Sequence, residues 1–304
     1  MTHDYDILLP GVYFCDLVFT GLPALPRLGA DIFGTGFDMA PGGLFMTALA
    51  FRRLGLRAGW ACDFGDDIFS RFVLDAAKRE ELDTSLFRLH PFPVRRISVA
   101  LSFPHDRGFV SFMDDVPAPP PLPLIERHRP RCLLLPHLHY GAETIALSAE
   151  ARRHGCLVYM DCQYTEATLA TPGVVEALRA VDIFAPNAIE AIQLTGMATI
   201  DEALARLAEL TPLVVITCGA DGSVARSGKR TVRAPGLPIT PIDTTGAGDC
   251  FNAGFICGYL RGEPLETCLR RGNICGGLAT TARGLEGIPS AQQIEEWLRY
   301  YAGG

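Results

Sequence analysis

The chain has 304 residues, of which 48% are hydrophobic and 20% charged, so it holds enough apolar material for a large core and is neither disordered nor fibrous. This length fits two ordinary domains or one large α/β domain with an appendage. The net charge of -7 argues against the basic surface with which nucleic-acid-binding proteins neutralise phosphates.

The beginning of the chain and its cysteines bear on its location. Residues 1–6 lack the basic and apolar stretches of a secretory signal, and no apolar run approaches the ~18 residues that span a bilayer. The ten cysteines form no Cys-x-x-Cys pair and no zinc-spaced cluster, so we expect reduced thiols. Together these features predict a cytoplasmic protein that binds neither membrane nor nucleic acid.

Short apolar runs alternate with amphipathic stretches along the chain, which is typical of βαβ units. Strands are predicted at residues 6–9, 57–62, 132–136, 156–161, 183–185 and 213–217, and helices at residues 43–53, 67–79, 144–154 and 200–210. Right-handed crossovers would place the strands in one doubly wound, mostly parallel sheet with helices on both faces. We expect a single domain over residues 1–304.

Two stretches interrupt this alternation, namely the Gly- and Pro-rich residues 12–37 and residues 95–115. The second contains two apolar runs around a turn at residues 104–108 and is typical of a hairpin. Both stretches are predicted to form a small antiparallel sheet inserted into the domain. Its apolar face must be covered by a substrate, a partner subunit or both, and we expect a homodimer through this sheet.

Residues 241–251 are the most informative part of the sequence. A short extended piece meets a Gly-x-Gly turn, and a helix follows with Phe251, Phe255 and Tyr259 at i, i+4 and i+8 and a stop near Gly262. Glycines allow bare N–H groups to converge, and the unpaired donors of the first helical turn add partial positive charge. The pattern therefore indicates an anion-binding cradle.

Asp249 lies in the first turn of this predicted helix. A carboxylate hinders simple phosphate binding, but it suits a base that takes the proton from a hydroxyl attacking a phosphoryl group. The alternative is that Asp249 only complements the helix dipole, while Gly246 and Gly248 only form a turn.

Several motifs resemble one family. The run Asp-Thr-Thr-Gly-Ala-Gly-Asp at residues 243–249, followed by Cys-Phe-Asn-Ala-Gly, resembles the C-terminal signature of the ribokinase (PfkB) carbohydrate kinases. Pro-Gly-Gly at residues 41–43, with Leu-Gly at 54–55 and Gly-Asp-Asp at 65–67, resembles the N-terminal signature. Asn-x-x-Glu at residues 187–190 and Thr-x-Gly at 217–219 also match, so the resemblance covers nearly the whole chain.

The resemblance implies a ribokinase-like doubly wound α/β fold with a β lid, and ATP as phosphoryl donor with Mg²⁺. The acceptor would be a hydroxyl, usually primary, of a sugar or sugar-bearing molecule. It implies Asp249 as catalytic base and the amides of Gly246, Ala247 and Gly248 as anion hole. The alternative within the family is a nucleoside kinase.

The resemblance also implies roles for other residues. Binding of the acceptor is assigned to Asp16, Gly42, Gly43, Met46 and Thr47, and binding of ATP to Asn187, Thr217, Gly219, Thr245 and Asn273. Glu190 would bind Mg²⁺ through water, and Asp243 would bind a monovalent cation such as K⁺. Local roles compete with some of these, because Asn-x-x-Glu is also a helix-capping box and Asp243 also suits a backbone turn. Asp16 also suits a solvated strand end.

The sequence departs from the family where the acceptor would bind. Met46 lies where the family has Asn, so either Thr47 substitutes or the acceptor carries fewer hydroxyls. Asp161 lacks the Asn and Arg that follow it in several members. Lid aromatics (Phe14, Phe103, Phe109, Phe112) would favour a nucleoside, and lid arginines (Arg95, Arg96, Arg107) a phosphosugar. In a strand, His137 and His139 would face opposite ways, so we expect at most one of them near the pocket and no metal site there.

Two other classes of protein compete with this interpretation. Neither the Gly-x-Gly-x-x-Gly of dinucleotide-binding dehydrogenases nor the P-loop of NTPases occurs in the chain. A non-catalytic regulator that binds ATP or sugar could keep this fold, but such a protein would not need Asp249 beside two glycines.

Overall fold

The computed structural model describes residues 3–103 and 107–302, and it forms two compact units. Unit 1 contains the described residues of Met1–Pro10, Thr47–Gly59 and Pro120–Gly304, and unit 2 contains those of Gly11–Met46 and Trp60–Pro119. Most of the predicted hairpin turn, residues 104–106, lies outside the described residues, as does the Arg107 side chain.

The strands, in chain order, are β1 (Ile7–Pro10), β2 (Tyr13–Thr20), β3 (Gly36–Gly43), β4 (Ala58–Phe64), β5 (Phe87–Leu89), β6 (Arg96–Ser102), β7 (Arg107–Met113), β8 (Cys132–Leu135), β9 (Leu157–Asp161), β10 (Ile183–Ala185), β11 (Leu213–Thr217), β12 (Ser223–Ser227) and β13 (Arg230–Ala234). The helices are α1 (Leu44–Arg53), α2 (Ile68–Arg79), α3 (Pro121–His128), α4 (Ala142–Arg153), α5 (Val174–Ala180), α6 (Ala188–Thr195), α7 (Ile200–Leu207), α8 (Ala247–Leu260), α9 (Leu265–Ala279) and α10 (Ala291–Ala302).

The sheet of unit 1 runs β13-β12-β11-β10-β9-β8-β1. Its pairs from β1 to β11 are parallel, and β12 and β13 are added antiparallel at the edge. Every residue of β8 and β10 is buried. Continuous burial of this kind is typical of parallel strands with both faces covered, and it explains why these strands are unbroken apolar runs. The predicted mostly parallel α/β sheet is confirmed.

Helix α8 begins at Ala247 and packs against α9. Phe251, Phe255 and Tyr259 stack in turn along α8, with ring centroids 6.2 and 6.0 Å apart. The predicted aromatic stripe is therefore confirmed, and the helix ends at Leu260, just before Gly262. The hairpin of β12 and β13 was not predicted, because its Gly-Lys turn is not a strong hairpin signal.

Unit 2 contains a small sheet in the order β3-β2-β6-β7. The predicted hairpin is confirmed, since β6 and β7 pair antiparallel with Ile97 opposite Phe112. Strands β2 and β3 also pair antiparallel, although β3 extends beyond the predicted boundary at residue 37. The pairing of β2 with β6, in which Cys15 lies opposite Ile97, is parallel. We call these strands the small sheet.

In the described part of the chain, no helix is both long and apolar enough to cross a bilayer.

Candidate active site

The start of α8 has the geometry of an anion-binding turn. Gly246, at the N-cap, has a left-handed φ of 73°, a conformation that glycine adopts without strain. The first amides of a helix have no carbonyl one turn earlier to bond, so they point out of its end. The Ala247 N–H donates only a long 3.3 Å bond to the Thr244 carbonyl. The structure thus has backbone amides, those of Gly246, Ala247 and Gly248, at the helix start where the sequence predicted an anion hole.

The Asp249 carboxylate is held by a side chain from α1. The Thr47 hydroxyl donates to Asp249 Oδ1 over 2.6 Å, and Thr47 is only 1% exposed. Burial raises the pKa of Asp249, while the bond from Thr47 opposes that rise. Sequence analysis predicted Thr47 as an acceptor ligand, and in the structure its hydroxyl is directed to this carboxylate.

A second carboxylate, that of Asp161 at the end of β9, belongs to the same group of side chains. Its Oδ2 accepts from Asn252 Nδ2 over 2.9 Å, and Asn252 Oδ1 accepts from the Tyr159 hydroxyl over 2.6 Å. Burial, followed by the negative charge of Asp249 and then of Glu190, raises the pKa of Asp161 to about 8.

Sequence analysis assigned no role to Asp161. Its position after a buried parallel strand was the available signal, because ligands of α/β sheets bind at the carboxyl ends of strands.

Asn187 and Glu190 form a complete capping box at the start of α6. Asn187 Oδ1 accepts from the Glu190 amide over 2.9 Å, and Glu190 Oε2 accepts from the Asn187 amide over 2.8 Å. Burial raises the pKa of Glu190. Asn187 also forms an isolated parallel bridge with Thr217, so two residues predicted to bind ATP are neighbours. The capping role is confirmed, and the roles toward ATP and Mg²⁺ stay predictions.

A cavity of about 270 Å³ extends from the start of α8 to the turn after β11. Thr217, Gly219, Ala247, Gly248 and Asn273, which the sequence predicted as site residues, all line it. Further lining residues that sequence analysis missed are Ala220, Leu237, Ile239, Thr244, Phe251 and Thr280. Ala220, Leu237 and Ile239 lie in segments without a recognisable motif, whereas Thr244 and Phe251 belong to the segment 241–251 but were given no role.

Asn273 and Asp243 have local partners. Asn273 Nδ2 donates to the carbonyls of Ala234 and Pro235 over 3.0 and 2.9 Å, so it holds the loop that follows β13. Asp243 Oδ1 accepts from the amide and hydroxyl of Thr245 over 2.9 and 2.7 Å. This is the local turn that competed with a cation site in the sequence analysis, and the cation site stays a prediction.

In unit 2, Asp16 on β2 lies against the backbone of β3. A Cβ at Gly42 would lie 2.1 Å from Asp16 Oδ2, so only glycine allows this close approach. Burial raises the pKa of Asp16 to about 6. Gly43 follows with a left-handed φ of 61°, and Met46 is buried in α1 at 6% exposure. Asp16 and Gly42 are thus brought together, as the sequence predicted for acceptor binding.

The side chains that would favour a phosphosugar have other environments. Arg95 pairs with Asp114 over 3.0 Å and lies over the Phe112 ring, while Arg96 is buried at 1% exposure. The prediction that His137 and His139 face opposite ways is wrong, because the two rings stack on each other with centroids 3.9 Å apart. The strand β8 ends at Leu135, so the alternation of a strand does not apply to them.

Comparison with known proteins agrees with this architecture. The sequence pattern that defines the pfkB family carbohydrate kinase matches residues 140–291, which is half of the chain. The ribokinase of Bacillus subtilis (strain 168) is 28% identical over 300 residues, covering 96% of this chain and 99% of that protein.

Two solved structures show the same fold. The Arabidopsis thaliana ribokinase complexed with ribose and ATP superposes with a TM-score of 0.82 at 20% identity, covering 97% of this chain and 99% of that one. A fructokinase of Xylella fastidiosa with bound ATP superposes with a TM-score of 0.75 at 17% identity, covering 97% and 98%.

This chain therefore belongs to the pfkB family of carbohydrate kinases. It is a sugar or nucleoside kinase, an enzyme that transfers a phosphoryl group to a hydroxyl.

Proposed function

We propose that this chain is an ATP-dependent kinase that transfers the γ-phosphate to a primary hydroxyl of a sugar or sugar-like small molecule, with Asp249 as general base. The observation that carries this proposal is the position of Asp249 in the first turn of α8. Its carboxylate is oriented by a hydrogen bond from Thr47. In the chain, Asp249 directly follows Gly248, which lines the cavity.

Asp249 is suited to remove a proton. Burial favours the neutral acid and so raises the proton affinity of the carboxylate, which improves it as a base toward an alcohol. The amides of Gly246, Ala247 and Gly248 would stabilise the negative charge that develops on the phosphoryl group. The Asp249 carboxylate, which accepts the proton, and the amides that donate hydrogen bonds to the phosphoryl group belong to one helical turn. The protein therefore needs little reorganisation for the transfer.

The cavity at α8 is the proposed ATP site. Thr217 and Gly219 line it together with Ala247 and Gly248 of the proposed anion hole, and Asn187 is bridged to Thr217. Thr245 directly precedes the Gly246 N-cap. Asn273 would act on the nucleotide by holding the loop after β13 through its two backbone bonds. The ATP in the solved plant ribokinase and bacterial fructokinase supports ATP as donor.

The carboxylates of Asp161, Glu190 and Asp249 suit a divalent cation. The negative charges of Asp249 and Glu190 raise the pKa of Asp161, and an oxygen-preferring cation would relieve this repulsion. Glu190 would hold Mg²⁺ through water. When bound, Mg²⁺ neutralises charge on the triphosphate. For K⁺, Asp243 is the proposed ligand. The hydrogen bonds that Asp243 accepts from Thr245 compete with this role.

For the acceptor, we propose that Asp16 binds hydroxyls and that Gly42 and Gly43 bring backbone close to the same ligand. Met46 cannot donate a hydrogen bond, and the Thr47 hydroxyl is already directed to Asp249. This favours an acceptor with fewer hydroxyls over one that needs the Asn of the family. A nucleoside is the alternative acceptor.

We further propose a homodimer through the small sheet of unit 2. Phe37, Val110, Phe112 and Met113 on this sheet are at least half exposed. A second copy of the sheet would cover such side chains.

The test of the proposed chemistry compares Asp249→Asn with the native protein, measuring ADP formation with Mg²⁺ and ATP over a panel of sugars and nucleosides. We expect the rate to fall by about 10²–10⁴-fold, the usual contribution of a general base. Asp75→Asn, on the exposed side of α2, is the matched control and should keep full activity. Equal turnover by the Asp249→Asn and native proteins would show that Asp249 is not the general base. An absence of turnover by the native protein would favour a non-catalytic regulator.

A further inference from the structure

Unit 1 contains a second cavity, between α10 and the loop that follows β13. It has a volume of about 290 Å³, and the described residues that line it are Pro238, Glu296, Trp297 and Tyr300. None of these four residues lines the cavity proposed for ATP. We call this group the aromatic corner.

Two aromatic rings form walls of the aromatic corner. Trp297 and Tyr300 are three residues apart on α10, so their side chains are neighbours on the helix surface. Their ring centroids lie 6.0 Å apart, and the ring planes are inclined by 76° to each other. Tyr301 stacks on Trp297 with centroids 6.0 Å apart, which restricts the position of the Trp297 ring. The two walls therefore stand nearly at a right angle.

These rings are accessible to a ligand. Tyr300 is 72% exposed and Trp297 is half-buried. Aromatic side chains gain from covering their large apolar surface, so neighbouring exposed rings beside a cavity are typical of a binding site.

The charge of Glu296 adds to the rings. Its Oε1 accepts a hydrogen bond from the uncharged Gln292 over 2.9 Å, and in the described part of the chain no lysine or arginine pairs with it. The preceding Glu295 instead pairs with Arg271 over 2.8 Å, and Arg299 donates to the Glu295 carbonyl. The aromatic corner therefore keeps an uncompensated negative charge.

This combination of groups favours a cation with few hydrogen-bond donors. Ring faces are negative and attract a cation within about 6 Å, most strongly in tryptophan. The side chains of the corner offer only the Glu296 carboxylate and the Tyr300 hydroxyl as acceptors, whereas a primary ammonium has three donors and a guanidinium five. A quaternary ammonium group has no donor to satisfy and suits aromatic walls.

A tight turn connects the aromatic corner to the cavity proposed for ATP. The Ile239 amide donates to the Leu237 carbonyl over 2.9 Å, which closes the turn around Pro238. Leu237 and Ile239 line the cavity proposed for ATP, while Pro238 lines the corner. A ligand in the corner would therefore contact the turn whose other two residues form part of the wall of that cavity.

We propose that the aromatic corner is a regulatory site for a small molecule with a quaternary ammonium group, and that its occupation tightens the binding of ATP. A cavity of about 290 Å³ is small among ligand sites, which suits such a group. The ligand would hold the Pro238 turn, so that less ordering of this turn remains for ATP to supply. Cation binding is independent of the proposed function, and only its effect on ATP rests on that function.

The experiment titrates the native protein with tetramethylammonium chloride by NMR, without nucleotide and at constant ionic strength. This probe has no hydroxyl, so it cannot be a phosphoryl acceptor. The uncharged probe is tert-butanol, which has a similar shape. We expect tetramethylammonium to bind about tenfold more tightly than tert-butanol, because the rings and the carboxylate act on its charge. At saturation it should lower the Kd for ATP about fivefold.

Variants of the corner locate the binding. Trp297→Leu removes the ring face and should raise the Kd for tetramethylammonium about tenfold, whereas Trp297→Phe keeps a ring and should raise it less. Glu296→Gln removes the charge at an exposed position and should raise this Kd about threefold. Glu209→Gln, the matched control, removes the charge of an exposed glutamate outside the corner and should leave the Kd unchanged.

The outcomes separate this inference from the proposed function. Equal affinities for tetramethylammonium and tert-butanol, or native-like binding by both Trp297→Leu and Glu296→Gln, overturn the site. A Kd for ATP that tetramethylammonium leaves unchanged overturns its regulatory role. Binding of tetramethylammonium that depends on Trp297, by a protein that binds no ATP, supports the site and overturns the proposed function.

Discussion

Thr47 illustrates how one hydroxyl can set the properties of a reacting group 202 positions away in the chain. Its bond to Asp249 Oδ1 fixes the direction of the carboxylate and favours the ionised form. Burial favours the protonated form. The pKa of Asp249 is therefore a balance, raised overall by burial, in which Thr47 keeps the base available at a lower pH than burial alone would allow.

Replacing Thr47 by valine, which has the same shape, removes this bond. We expect kcat to fall by about 10- to 100-fold, since a hydrogen bond to a charged group contributes roughly 1.5–3 kcal/mol. The pKa of Asp249 should rise further, so the acidic limb of the pH profile of kcat/KM should move to higher pH, because the protonated acid cannot accept a proton. Steady-state kinetics across pH measures both effects.

Thr47→Ser is the matched variant, because it keeps the hydroxyl and loses only a methyl group. It should retain the native position of the acidic limb. An unchanged limb in Thr47→Val would mean that the bond does not control the base.

At the scale of elements, α8 and α9 make a contact that depends on small residues. A Cβ at Gly272 on α9 would lie 2.7 Å from the Phe251 ring, and one at Gly254 on α8 would lie 2.7 Å from the Arg271 carbonyl. The two helices are therefore so close that Gly272 contacts the Phe251 ring and Gly254 contacts the Arg271 carbonyl. Because Phe251 also lines the cavity, this packing supports the proposed ATP site.

Gly272→Ala should destabilise the protein. Overpacking a core costs about 1–3 kcal/mol, against which alanine gains roughly 1 kcal/mol in helix propensity over glycine. We expect the free energy of unfolding in urea to fall by about 1 kcal/mol, and by at most about 2 kcal/mol, with a weaker affinity for ATP because the Phe251 ring must shift.

Arg270→Ala, at the neighbouring exposed position of α9, is the control and should change the free energy of unfolding by less than about 0.5 kcal/mol. A Gly272→Ala protein as stable as this control would show that the ring and helix adjust without cost.

At the scale of the whole molecule, the small sheet sets the expected state of assembly. Val110 is 64% exposed on β7, a strand at the edge of this sheet. Edge strands with exposed apolar side chains are prone to pair with another chain.

Val110→Lys should turn the proposed dimer into a monomer, because a lysine side chain would lose hydration in the interface. Sedimentation equilibrium measures the change, and circular dichroism checks the fold. Ile68→Lys, which also replaces an exposed aliphatic residue in unit 2, should remain dimeric. A native protein that sediments as a monomer at assay concentration contradicts the dimer.

Much of the architecture could be predicted from local patterns. The strands β8 to β11 are short apolar runs because both of their faces are buried, and the 3.6-residue spacing of Phe251, Phe255 and Tyr259 marks the buried face of α8. The hairpin of β6 and β7 follows from its two apolar runs on either side of a turn. The parallel pairing of β2 with β6 could not be predicted in the same way, because it joins segments far apart in the sequence.

The candidate site likewise contains some features that local sequence predicts and others that depend on contacts between distant segments. The sequence by itself determined the glycine-rich turn, the acidic residue after it and the capping box of α6, since each depends on a few consecutive residues. Only the tertiary structure decided that Thr47 is directed to Asp249, that Asp161 is bonded to Asn252 and that His137 stacks on His139. Those contacts depend on where strands end and helices cross, and a hydroxyl or imidazole gives no local signal of the partner that folding brings to it.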